Sequence, residues 1–194
     1  MLREYMSRSK RQRGITIIEV LVTMVIMAFG LLGLANLQGK IKVGLLESYQ
    51  RSQAVILLSD MTERINANRL QAASYVSTAA FGVGDTQPAD CSGLAAIAAR
   101  DKCEWSNALK GAGETKAGNS VGAMTDARGC ISLIQAANPV DGVCTPGIYL
   151  ITVAWQGMVK TSAPAVLCAS GLYGEDTYRR VISTRVSIGL PSCS

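Results

Sequence analysis

From Ile15 to Leu37 the chain is almost wholly apolar, and the one charged residue in that run is Glu19. As a helix the run would be roughly 35 Å long at about 1.5 Å per residue, against a hydrocarbon core of roughly 30 Å. It is therefore long enough to cross a bilayer. A carboxylate is costly in hydrocarbon and persists there when it has a partner or a task. Glu19 sits four residues into the run, and a short basic leader ending in Gly14 precedes it.

A small residue, an apolar run opening at once and an acid near its start form a specific pattern. Gly14-Ile15-Thr16-Ile17-Ile18-Glu19 resembles the processing site of type IV prepilins and secretion pseudopilins. The resemblance implies that a membrane peptidase cuts after Gly14 and methylates the new amine on Ile15. The apolar run then stays on the mature chain, whereas an ordinary secretory peptide is cut after its apolar region and loses it. The plainer alternatives are a signal anchor with incidental Gly30 and Gly33, and Gly14 as a turn residue.

Charge supports a membrane topology over nucleic-acid binding. In the leader, Arg3, Arg8, Lys10, Arg11 and Arg13 against Glu4 leave +4 of the chain's net +5. The rest is close to neutral, so the basic balance is not a nucleic-acid footprint. Basic residues ahead of an apolar run stay cytoplasmic, and the chain beyond Leu37 is exported. With the prepilin resemblance, this implies a single-pass inner-membrane protein with a periplasmic head. A start at Met6 would leave the same basic signal.

All six cysteines, Cys91, Cys103, Cys130, Cys144, Cys168 and Cys193, come after the apolar run. In an exported domain they read as up to three disulfides, with metal binding or free thiols as alternatives. A sequential set would join Cys91–Cys103, Cys130–Cys144 and Cys168–Cys193, one of fifteen possible pairings. No CxxC pair suggests a redox or zinc motif. The chain has no histidine, the commonest general base and metal ligand. With no nucleophile elbow and no phosphate loop either, no catalytic residue, cofactor or metal is expected.

Residues 1–14 are the leader, with no fold expected of Met1–Arg13. Residues 15–37 form the membrane and assembly helix. Residues 38–74 continue it as an amphipathic half, with no proline and with Ala54, Leu57, Leu58, Met61, Ile65 and Ala72 near helical spacing. Residues 15–74 would make a rod of roughly 90 Å. Residues 75–194 are the head. There Ser92–Lys110 reads as a short helix with Ser92 as its cap, and Gly111–Gly122 as a flexible connector. Cys130–Gln135, Ile148–Trp155 and Tyr178–Ile188 read as strands. Ile182, Thr184, Val186 and Ile188 alternate with Ser183, Arg185 and Ser187, which predicts an antiparallel sheet with one wetted face. The expected fold is α+β: a long amino-terminal helix packed against a small antiparallel sheet. Trp105 and Trp155 are assigned to the core in preference to ligand contacts. Arg179-Arg180 and Lys40/Lys42 are read as solvated surface or membrane border, the alternative being contacts to DNA or anionic lipid.

Further along, Asp60-Met61-Thr62-Glu63-Arg64-Ile65-Asn66-Ala67-Asn68 followed by Tyr75 resembles a segment of PilV-type minor pilins. The order Asp101, Trp105, Leu109 and the Ile148–Trp155 strand is similar as well. Many major pilins carry a proline where Asn36 stands here, so a weaker kink is expected. The resemblance implies a low-copy subunit of the type IV pilus that starts assembly with other minor pilins, the major pilin and a tip protein. Prepilin peptidase would process it, and the head would reach the extracellular filament near its tip. The alternatives are a minor pseudopilin of a type II secretion system, and an adhesin or DNA-uptake receptor on the same anchor.

Within this reading Glu19 has a chemical task. After cleavage the Ile15 amine is a cation, and the Glu19 carboxylate of one subunit can meet the Ile15 amine of another. At about 4 Å and an effective dielectric near 20 the attraction is about 4 kcal/mol before desolvation. The alternative is a carboxylate at headgroup depth, favoured by the helix dipole.

Overall fold

A computed structural model of the chain describes residues 14–113, 115–116, 119–120 and 124–190. The leader through Arg13, and Cys193 with the tail from residue 191, lie outside the described residues. The chain divides into two compact units, the first ending at Gly44 and the second beginning at Leu45.

Helix α1 covers Ile17–Ala67. Its part in the first unit is exposed except at half-buried Val43, with Ile17 at 89% and Phe29 at 71%. Helicity is unbroken at Gly30, Gly33 and Asn36. The helix is long and apolar enough to cross a membrane, and none of its most apolar window is buried. A helix that stays apolar on every side with nothing packed against it belongs in lipid or among other helices.

In the second unit α1 becomes one-sided. Gln50, Ala54, Leu58, Met61 and Ile65, spaced by three or four residues, are its buried positions. They face an antiparallel sheet in the order β1 (Phe81–Gly82), β4 (Arg128–Gln135), β5 (Gly147–Gln156), β6 (Arg179–Ile188). A separate two-stranded ladder, β2 (Thr115–Lys116) and β3 (Asn119–Ser120), interrupts the stretch expected to be a connector. Helix α2 (Ile97–Leu109) contributes Ala98, Trp105 and Leu109 to the same core as Ile131, Ile151, Val153, Trp155 and Val186. Burial of each large side chain of this kind contributes about 1.5–3 kcal/mol.

Several boundaries differ from expectation. Helix α1 ends at Ala67, not near residue 74, because Asn68 leaves helical geometry at φ −115°, ψ 44° and a 3₁₀ segment, Arg69–Tyr75, comes next. The Asn68 amide donates to the Tyr75 hydroxyl at 3.2 Å, and Tyr75 is fully buried. Ser92 does not cap α2, which begins only at Ile97 after the uncapped Ala96. Instead the Ser92 N–H and hydroxyl donate to Asp90, at 2.9 and 3.0 Å. The sheet is not wet over its whole outer face. Ser183, Arg185 and Ser187 are exposed as expected, but Ala154, Cys168, Ala169 and Tyr173 form a second small core beneath the segment leading into β6.

The cysteine pairing also differs. Cys91 is bonded to Cys103, but Cys130 is bonded to Cys168 and not to Cys144. Cys130 lies opposite Thr152 in the ladder, whereas Cys144 precedes β5, whose first residue is Gly147. Five residues of strand separate Gly147 from Thr152, roughly 17 Å, well beyond the roughly 7 Å that a disulfide tolerates between Cα atoms. Cys144 is disulfide-bonded too. With Cys168 committed to Cys130, the expected Cys168–Cys193 bond is overturned.

Candidate functional site

The residues singled out at the start of the chain lie together at the head of α1. Gly14, Ile15 and Thr16 are non-helical and exposed, and the helix opens at Ile17. Thr16 closes its first turn: its carbonyl accepts from the N–H groups of Glu19 and Val20, at 3.1 and 3.3 Å. Its hydroxyl accepts from the Glu19 N–H at 3.4 Å. Thr16 with Glu19 three residues on matches the helix-start pattern in which a hydroxyl satisfies an otherwise orphaned donor. Glu19 is thus the acidic residue of the first turn, where the positive end of the helix dipole favours it. Its carboxylate has no hydrogen bond or ion pair among the described residues. Around it Ile15, Ile18 and Met24 are 76%, 71% and 67% exposed. The arrangement presents an exposed, non-helical backbone ahead of the helix and one carboxylate on an otherwise apolar stretch.

In the second unit the residues that carry the minor-pilin resemblance converge on one network. The Arg64 guanidinium bonds Asp60 at 3.0 Å, Asp101 at 3.0 Å and Glu104 at 2.6 Å. The Tyr75 hydroxyl donates to the other oxygen of Asp101. Burial would lower the Arg64 pKa, but Glu104, Asp60 and Asp101 together raise it. Burial, with Asp101 next, pushes the Tyr75 phenol up to about 12. Both groups therefore keep their protons across the physiological range. Trp105, fully buried, donates to the Leu57 carbonyl at 2.8 Å and stacks edge-on to Phe81. Gly129 is required beneath it: an added Cβ would lie 2.2 Å from the indole. Asp60, Arg64, Tyr75, Asp101 and Trp105 thus tie α1 to α2.

Arg179 and Arg180, read as solvated surface, are structural. Arg179 is fully buried. It makes two bonds to Asp176, at 2.7 and 2.6 Å, and donates to the carbonyls of Pro164, Val166 and Cys168. Arg179 holds the Asp176 carboxyl down to about 2, against a smaller opposing effect of desolvation. Arg180 pairs with Glu47 at 3.2 Å. Glu47 in turn accepts from the Met158 and Val159 N–H groups, at 2.8 and 3.3 Å. Burial alone would raise the Glu47 carboxyl, but the Met158 bond and Arg180 outweigh it and hold it below its ordinary value. Glu47 gives no sequence signal for this role, because its four-residue spacing to Arg51 reads as an ordinary exposed helix pair. Trp155 is in the core as expected, 4% exposed.

Among the described residues no cluster of histidine, cysteine, aspartate and glutamate could hold a metal ion. Residues 9–35 match the family model of the prokaryotic N-terminal methylation motif, which contains Gly14, Ile15 and Glu19. Residues 43–108 match the model of type IV pilin Tt1218, a span that holds the whole Arg64 network and the Cys91–Cys103 bond. No curated protein and no solved structure matches the chain.

Proposed function

The chain is a member of the type IV pilin superfamily, and from that premise we propose that it is a minor pilin of the PilV type. In this reading prepilin peptidase cuts after Gly14 and methylates Ile15. The mature protein waits in the inner membrane with its second unit in the periplasm. It then joins other minor pilins, the major pilin and a tip protein in a complex that starts filament growth. Its work is structural, and its placement is at or near the filament tip.

One observation carries the proposal: the Glu19 carboxylate stands in the first turn of an exposed apolar helix without a partner among the described residues. In lipid such a group is penalised by a few kcal/mol. The terminal amine of a neighbouring subunit removes that penalty and sets the stagger between helices. The pair therefore favours the packed filament over the stored monomer.

The test uses a strain in which the only copy carries Glu19→Ala. The variant is expected to be inserted and cut at the normal rate but to assemble poorly, read by gel mobility and by electron microscopy of surface filaments. Normal piliation would refute the role. Gly14→Val is expected to leave uncut precursor in the membrane, and mature-sized protein on the same gel would contradict the processing assignment. A secretion pseudopilin shares the signal and the helix. The phenotype separates the two, since loss of filaments and twitching supports the proposal and loss of protein secretion supports the alternative.

A further inference from the structure

Of the five cysteines among the described residues, Cys91, Cys103, Cys130 and Cys168 are bonded pairwise to one another. Cys144 is disulfide-bonded as well, and none of the five is a free thiol. A cysteine sulfur takes one such bond, so the partner of Cys144 lies outside these five. The sequence holds six cysteines, and the sixth is Cys193.

Strand register brings the two sulfurs within reach. β5 and β6 pair with Ile148 opposite Ser187 and Gly147 opposite Ile188, so each step back along β5 is matched by a step forward along β6. Carried three residues further, the same register sets Cys144 opposite position 191, and Cys193 is two residues on. Neighbouring strands are about 5 Å apart, and two extended residues span about 7 Å. A slight inward turn of the tail therefore brings the Cα atoms within the roughly 7 Å that a disulfide tolerates. Cys144 is meanwhile held by its own hairpin. Asn138 and Thr145 exchange both backbone hydrogen bonds, at 2.9 and 3.1 Å, and the Cys144 N–H donates to the Val140 carbonyl at 3.2 Å. Its φ of +44° lies in the left-handed region, which a non-glycine residue keeps only where its surroundings fix it.

We propose that Cys144 and Cys193 form a third disulfide, which clasps the carboxy-terminal tail to the hairpin between β4 and β5. Its place gives it a task. β6 stands at the edge of the sheet and is hydrogen-bonded to β5 alone, and the ends of such a strand are where a sheet opens first. Cys168 fastens the chain ahead of β6, and Cys193 fastens it behind, so neither end of the strand peels away from β5. The Sγ–Sγ bond forms by exchange with the disulfide of a thiol oxidoreductase. Cys144 and Cys193 give up two protons and two electrons, and the oxidoreductase leaves as its dithiol. Such bonds persist in an oxidising compartment, so the inference rests on export of the second unit.

The test extracts the full-length protein from membranes with free thiols alkylated at lysis, then cuts it without reduction, using trypsin and a protease that cleaves before aspartate. The peptides 129–140, 141–160, 161–175 and 186–194 then carry one cysteine each. Mass spectrometry is expected to find 141–160 joined to 186–194. In Cys193→Ser the Cys144 thiol is expected to be alkylated once the chain is unfolded, with the Cys130–Cys168 bond intact. Amide exchange around Gly147 and Ile188 is expected to quicken at least tenfold in Cys193→Ser, in Cys144→Ser and in the double variant alike, while α2 keeps its rate. The proposal is overturned if Cys193 is alkylated in the parent, if peptide 186–194 is joined to any other peptide, or if exchange around Gly147 and Ile188 is the same in Cys193→Ser as in the parent. Alkylation of all six cysteines would overturn the export reading as well, whereas a failure confined to Cys193 leaves that reading standing.

Discussion

Arg179 has the most demanding surroundings of any single residue in the second unit. A fully buried guanidinium is retained only when its donors are satisfied, and here one carboxylate and three carbonyls of the preceding segment satisfy them. Removal of one partner of such a pair leaves the others desolvated and unpaired. Arg179→Ala is expected to cost about 3–5 kcal/mol, measured by urea unfolding of the detergent-solubilised chain. A change below about 1 kcal/mol, the size of an exposed ion pair, would mean that the segment is held without it. Gly129 and Gly157 are constrained in the opposite sense, by space. A Cβ would meet the Trp105 ring at 2.2 Å in one case and the Arg180 guanidinium at 2.6 Å in the other. Side chains of Arg179-Arg180 look like surface in the sequence because two adjacent arginines usually are. What buries them is a loop whose path local spacing does not encode.

At the scale of elements, the glycines of α1 and of β1 answer to different constraints. Gly39 and Gly44 stand within the helix with nothing within 4 Å of an added Cβ. No packing contact among the described residues requires them, and each costs the helix about 0.5–1 kcal/mol relative to alanine. Gly44→Ala is accordingly expected to slow amide exchange in the surrounding turns by about 2- to 5-fold, the equivalent of that energy. Gly82 is different, with φ +99° and a Cβ position 2.4 Å from the Ala127 carbonyl oxygen. The same substitution there is strained. The strands were legible to within a residue or two: Cys130–Gln135 lies inside β4, Ile148–Trp155 inside β5, and Tyr178–Ile188 nearly coincides with β6. β-branched runs bounded by turn formers leave little choice of period. Helix ends were less legible, since α1 stops where Asn68 is drawn to Tyr75, a contact made across a turn.

For the whole second unit, stability rests on two cores and on the cross-links. The Cys91–Cys103 and Cys130–Cys168 bonds close sequence separations of 12 and 38 residues, which restrict the unfolded chain by about 3 and about 4 kcal/mol in the loop-entropy account. The acidic side of the pH profile is set by carboxyls depressed in the folded state, Asp176 from 3.8 to about 2, Glu47 below 4.5 and Asp85 below 3.8 among them. The unfolded chain takes up these protons first as pH falls, so their stabilisation is complete above about pH 4.5 and is lost on acidification towards about pH 2. Thermal melts followed by circular dichroism are expected to give a level midpoint from about pH 7 to about pH 5 and a falling one below. A midpoint that rises on acidification would contradict the assignment.

The sequence alone determined the apolar helix, the acid at its head, the methylation-motif match around Gly14 and the three long strands. Each is written in neighbouring residues, through hydrophobic run length or through alternation along a strand. Tertiary structure alone decided the Cys130–Cys168 bond, the burial of Arg179 and the latch from Glu47 to Arg180. These join residues 11 to 133 positions apart, and which of them meet depends on how the loop before β6 crosses the sheet. Many pairings suit the same charges and thiols, and only the packed core selects one.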